Sequence, residues 1–183
     1  LDAGSAFGGM GGAREMFIAI LIEPAFLLSL LTVAFKAHTT NLGLMANWAH
    51  GSPLSLAYVF AAIAFFMVLI AETGRIPVDN PDTHLELTMV HEGMILEYSG
   101  RNLALIFWAT AVKQLLMILL LILFFLPGHI FSGAIVMNML VKVLLVAVMI
   151  AITETSTNKL RLFKVPNFLA VSCLLSLLAL VAQ

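Results

Sequence analysis

Asn102 to Leu126 reads NLALIFWATAVKQLLMILLLILFFL, an apolar run with a single charge, Lys113. As a helix rising 1.5 Å per residue it would extend roughly 37 Å, enough to cross about 30 Å of hydrocarbon. It lacks the roughly ten-residue alternation of a barrel strand and is rich in Leu, Ile and Met, so a helix is the reading. Comparable runs lie outward from it at Glu15 to Phe35, Pro53 to Ala71, Ala134 to Thr153 and Val165 to Ala182. Five such spans predict an all-α integral membrane bundle, read as one domain over residues 1–183. Composition agrees: 62% of residues are hydrophobic and only 10% charged, against roughly a quarter charged in soluble domains. The net charge of −1 says nothing about nucleic acid, and no basic stripe argues for it, so no nucleic-acid partner is expected. No repeat of fixed period is visible.

The run is preceded by Ala71 to Gly100, AETGRIPVDNPDTHLELTMVHEGMILEYSG, an acidic connection between the second and third spans. It holds Glu72, Asp79, Asp82, Glu86, Glu92 and Glu97 against Arg75, in a chain with 10 carboxylate residues. Connections this long inside a compact protein are functional more often than structureless, so an internally folded loop is expected. Clustered carboxylates repel one another and share protons, which suits a proton path or a redox-linked charge switch.

Basic residues orient the chain. With five sequential spans, Arg14, Arg75, Arg101, Lys159, Arg161 and Lys164 fall on one side and Lys36 on the other. The positive-inside rule then puts the acidic loop and the Lys159 to Lys164 turn in the cytoplasm. Leu1 to Gly12 has no signal-peptide layout and is read as a flexible, Gly-rich approach to the first span of a longer polypeptide.

Three charges lie deep in spans. Glu23 is nine residues beyond Arg14, about 13 Å along a helix. A carboxylate at such depth costs about 2.5–3.5 kcal/mol on insertion scales and marks a polar cavity or a partner. Pro24 beside it removes a backbone donor, freeing a carbonyl one turn back. Lys113 and Lys142 sit too deep for easy snorkelling and are candidates for a proton relay. Cys173 is alone, so neither an internal disulfide nor a cysteine-held cluster is available. His84 and His91 do not make a metal site, because the position four beyond His91 is Ile95. Gly8-Gly9-Met10-Gly11-Gly12 lacks the strand-to-helix setting of a phosphate loop.

Ala71-Glu72-Thr73-Gly74-Arg75-Ile76-Pro77-Val78-Asp79 resembles the A-E-T-N-R-x-P-F-D signature of the H-type membrane protein of respiratory complex I, which joins the quinone-reducing peripheral arm to the ion-translocating membrane arm. Glu97-Tyr98-Ser99-Gly100 is similar to that family's closing E-Y-S-G, and Arg14 with Glu23 to its R-(x)8-E spacing. The departures point to a branch. Asp79-Asn80-Pro81-Asp82-Thr83-His84-Leu85-Glu86-Leu87 replaces D-L-P-E-x-E-x-E-L, and Thr110 stands where complex I members carry a Glu in the next helix. Trp108 to Gln114, and Lys142-(x)11-Glu154 leading into Lys159-Leu160-Arg161, resemble the homologous subunit of energy-converting, membrane-bound NiFe hydrogenases, of the formate hydrogenlyase subunit 4 and hydrogenase-4 component C type.

The resemblance implies a non-catalytic subunit in the cytoplasmic (inner) membrane of a prokaryote. It would dock the small and large hydrogenase subunits, which would hold the iron-sulfur clusters and the NiFe centre, beside antiporter-like membrane subunits. It further implies coupling of electron transfer to proton or sodium translocation through Glu23, Glu72, Lys113, Lys142 and Glu154. Arg75, Asp79, Asp82, His84, Glu86, Glu92, Glu97 and Tyr98 would form the docking loop. No cofactor is expected in this chain, and His84 and Thr110 argue against a quinone. Rival functions are the quinone-site subunit of complex I and, more distantly, an independent cation/proton antiporter. The antiporter lacks the expected inverted repeat. A passive anchor would have no use for deep charges.

Overall fold

The computed structural model describes residues 6–51, 55–79, 95, 98–126, 128, 135–157 and 164–182. All regular structure among them is helical: α1 (Ala6–Ala37), α2 (Leu42–Gly51), α3 (Leu56–Glu72), α4 (Gly100–Phe125), α5 (Ile135–Ser156) and α6 (Val165–Val181). Stretches of α1, α4 and α5 are long and apolar enough to cross a membrane. The apolar helices α3 and α6 have 17 residues each, about 25 Å at 1.5 Å per residue. The protein is thus a multi-pass helical membrane protein, and a helix occupies most of the described part of each expected span.

Two local expectations are corrected. The Gly-rich approach is not a flexible lead-in, because α1 already runs from Ala6 through Gly8–Gly12. A helix also forms at α2, where none was expected. Asn41 Oδ1 accepts from the Gly43 and Leu44 amides and so caps it. Asn at an N-cap satisfies amides that the first turn cannot.

The packing follows from seams of one spacing. Among the buried residues are Ile18, Ile22, Ala25, Ser29 and Thr32 on α1, Ala57, Ala61, Ala64, Val68 and Ala71 on α3, where Tyr58, Phe65, Leu69 and Ile70 are buried as well, and Val165, Leu169, Ser172, Ser176 and Ala179 on α6. All three follow a 4-3-4-3 step, which keeps a seam on one helix face. The helices pack on one another, and the Ala and Ser positions let backbones approach closely, as small residues do between membrane helices. Ser172 Oγ accordingly donates across α6 to the Ala64 carbonyl of α3 at 2.9 Å. Against this trio α4 packs on α3 and α2, and α5 packs on α4.

Glycines set both helix ends that flank the acidic connection. At the end of α3 the Gly74 amide bonds the Ala71 carbonyl and the Arg75 amide the Ile70 carbonyl. Gly74 has φ +61°. That is a Schellman ending, whose left-handed position favours Gly or Asn, which accounts for Gly74 standing where the resembled signature has Asn. Gly100, opening α4, has φ +58°, so the last residue of the E-Y-S-G-like segment is also one that glycine suits.

Candidate functional site

A cavity of about 320 Å³ opens where α1, the end of α3 and the first half of α4 meet. Glu15, Ile18, Ala19 and Ile22 line it from α1; Glu72, Arg75 and Asp79 from α3 and the turn beyond; Phe107, Thr110, Lys113 and Gln114 from α4. The α1 residues step by three, one and three, and Phe107, Thr110, Ala111 and Gln114 repeat that step, so each helix presents one face.

Ion pairs tie this cavity together. Lys113 Nζ lies 2.7 Å from Glu72 Oε1. Arg75 spans two helices: one guanidinium nitrogen donates to Gln114 Oε1 of α4 at 3.0 Å and the other to Glu154 Oε1 of α5 at 3.4 Å. The Schellman turn makes this reach possible, by ending α3 immediately after Glu72 and turning the chain at Arg75. The Arg75 carbonyl then accepts from the Val78 and Asp79 amides, and Asp79 is buried at 4% exposure. Guanidinium forks suit two acceptors at once, which an ammonium does less well.

The structure therefore brings together Glu72, Lys113, Arg75 and Glu154, with Asp79 on the wall. It does not bring Glu23 or Lys142 to the cavity. Glu23 is exposed on α1. Lys142 is buried and donates from Nζ to the Leu126 carbonyl, at the end of α4, at 2.6 Å. Asp82, His84, Glu86, Glu92 and Glu97 lie outside the described residues. The Tyr98 amide donates to the Ile95 carbonyl at 3.0 Å. Among the described residues no group of three or more His, Cys, Asp or Glu side chains is arranged to hold a metal ion.

Two members of the cavity escape sequence reasoning. Glu15 stands beside the more conspicuous Arg14, although its shared helical face with Ile18 and Ile22 is a readable signal. Gln114 belongs to a motif, but its role as an acceptor for Arg75 depends on a contact across 39 residues. Thr110 Oγ1 donates to the Phe107 carbonyl, so the cavity has a hydroxyl, already bonded to its own helix, where the resembled complex I proteins have a carboxylate.

The arrangement links α3, α4 and α5 through Glu72, Lys113, Arg75, Gln114 and Glu154. Fold and cavity together define a multi-pass membrane protein with a charge network at the root of a long connection. Residues 1–183 match the model of the NADH dehydrogenase family, and the chain belongs to that family. It is 37% identical over 88% of its length to hydrogenase-4 component C of Escherichia coli (strain K12), covering 53% of that protein. It is 31% identical over 91% of its length to formate hydrogenlyase subunit 4 of the same organism, covering 56% of it. It is also 31% identical, over 69% of its length and 37% of the relative's, to the H-type subunit of NADH-quinone oxidoreductase from Wolbachia sp. subsp. Brugia malayi (strain TRS). The chain spans about half the length of the first two relatives.

Proposed function

We propose that this chain is part of the membrane subunit of an energy-converting NiFe hydrogenase complex, docking the peripheral redox module and coupling its electron transfer to proton or sodium translocation. The observation that carries the reading is the paired set Glu72–Lys113 and Glu154–Arg75–Gln114 at the root of the acidic loop. Similarity to hydrogenase-4 component C and formate hydrogenlyase subunit 4 supports the hydrogenase branch. Electron transfer in the docked module changes the charge facing the loop. Asp79 and Arg75 receive that change, and the two ion pairs hand it to α4 and α5. Glu23 and Lys142 are relay groups beyond the cavity, toward ion-translocating subunits alongside. Arg75, Asp79, Asp82, His84, Glu86, Glu92, Glu97 and Tyr98 form the docking segment against the small and large hydrogenase subunits, which hold the iron-sulfur and NiFe centres. The excess of basic residues beside the loop supports a cytoplasmic position for it, in a prokaryotic inner membrane.

A second reading is a quinone-site subunit of an NADH-quinone oxidoreductase, favoured by the cavity itself and by the similarity to the Wolbachia protein. The two separate by experiment. In the assembled complex Glu72→Gln keeps shape and hydrogen bonding but removes a charge. The coupling reading expects dye-linked hydrogenase activity to persist while ion pumping into sealed vesicles falls. Quinone-dependent turnover abolished by Glu72→Gln, with no hydrogenase activity in the complex, would establish the second reading instead.

A further inference from the structure

The end of α4 far from the acidic connection gathers polar groups that stand apart from the cavity. Gln114 and Leu126 are 12 residues apart, about 18 Å along a helix. Lys142 reaches this end from α5; it is buried, and its Nζ donates to the Leu126 carbonyl at 2.6 Å. An ammonium carries three donors, and that bond is its single one among the described residues. Tyr58 reaches the same end from α3, its ring 5.4 Å from that of Phe125 and tilted by 49°. The residue is 2% exposed, and its hydroxyl is buried without a hydrogen-bond partner.

Helix geometry supplies the matching acceptors. The last four carbonyls of a helix have no donor within it. The Leu126 amide bonds the Ile122 carbonyl, so the open ones belong to Leu123, Phe124, Phe125 and Leu126. Pro127, next in the sequence, has no amide hydrogen to give to Leu123. Lys142 serves Leu126 alone. A phenol and an ammonium with donors to spare therefore flank a helix end with acceptors to spare. Inside an apolar bundle both cost free energy unless something joins them.

Access limits what that can be. Tyr58 and Lys142 are sealed within this chain, at 2% and 5% exposure, so no other stretch of polypeptide reaches them while the helices stay packed. Water is small enough, accepts from a phenol or an ammonium and donates to carbonyls, and a buried water makes about three such bonds. We propose that the far end of α4 is an internal hydration site, with water held between the Tyr58 hydroxyl, the Lys142 ammonium and the open carbonyls of the last turn of α4. The site gives a role to Tyr58, which belongs to none of the signature-like motifs. Only its use rests on the coupling reading: there the water provides Lys142 with a partner for proton exchange, a helix-length away from the contacts of Arg75.

The test is radiolytic labelling of the assembled complex in lipid nanodiscs. A brief X-ray pulse turns water into hydroxyl radicals that mark the side chains touching it, and mass spectrometry locates the marks. The expected result is labelling of Tyr58 and Phe125 well above that of Leu169, which is 1% exposed on α6, after correction for intrinsic reactivity. Tyr58→Phe removes one oxygen and keeps the ring against Phe125. It should lower the labelling of Phe125 roughly two- to tenfold, the change in occupancy that one hydrogen bond commands. Phe125 labelled no more than Leu169, or labelled equally in Tyr58→Phe and the parent, would overturn the inference. So would a higher melting temperature in Tyr58→Phe, the mark of a hydroxyl with no partner to lose. Labelling is read in the resting complex, so a failure to pump bears on the coupling reading and not on this site.

Discussion

Removing the Lys113 ammonium from its pair with Glu72 is the sharpest probe of coupling. The oxygen and nitrogen are 2.7 Å apart, and the side chains are 28% and 44% exposed in the isolated chain. Two unit charges at about 4 Å attract by roughly 4 kcal/mol at an effective dielectric of about 20. Partial exposure screens this strongly, and measured polar contacts between membrane helices average about 0.6 and reach about 1.7 kcal/mol. The pair is therefore worth about 0.6–1.7 kcal/mol. A signal carried by it cannot exceed that coupling energy, which corresponds to roughly a 3- to 18-fold bias between two states. In complexes carrying Lys113→Met, Glu72→Gln or both, hydrogenase activity with a soluble dye should stay within about twofold of the parent. The ion gradient formed per hydrogen turned over should fall at least about threefold in each single variant. The double variant should be no worse than the worse single one, since both remove the same interaction. Parental gradients in both single variants, or strictly additive losses in the double, would refute the reasoning.

Further outcomes follow from the same geometry. Gly74→Ala should lower the stability of the purified complex by about 1 kcal/mol, and Gly74→Asn by much less, because only the former penalises the left-handed turn; thermal unfolding in detergent reads the difference. Lys142→Met should cost about 1–3 kcal/mol by leaving the Leu126 carbonyl without its donor, also seen as a lower melting temperature, and reduced pumping at unchanged stability would instead mark Lys142 as a relay. On the proposed orientation a reporter cysteine at Thr83 should react with an impermeant reagent from the cytoplasmic side only; labelling from the opposite side alone would overturn the proposed docking role of the loop.

Sequence alone was enough for the helical membrane class and for a helix at each of the five apolar runs. Hydropathy is a local property: a run such as Asn102 to Leu126 must cross or be buried whatever surrounds it. The chemistry-bearing region was legible for a related reason, since carboxylates concentrated in one connection and charges placed inside spans carry a cost wherever they fold. The short helix α2 escapes such a reading because ten residues give too little hydrophobic signal, although Asn41 is a readable cap. Tertiary structure decided which charges meet. Arg75 and Glu154 are 79 residues apart, and nothing local to either names the other. Glu72 finds Lys113 rather than Lys142 because α4 packs on α3 while α5 packs on α4, which leaves Lys142 to the end of α4. Glu23 and Glu15 separate in the same way, on opposite sides of the cavity wall: eight residues along a helix of 3.6 per turn rotate a side chain by about 80°, and only the position of the neighbouring helices makes one direction a cavity and the other an outer face.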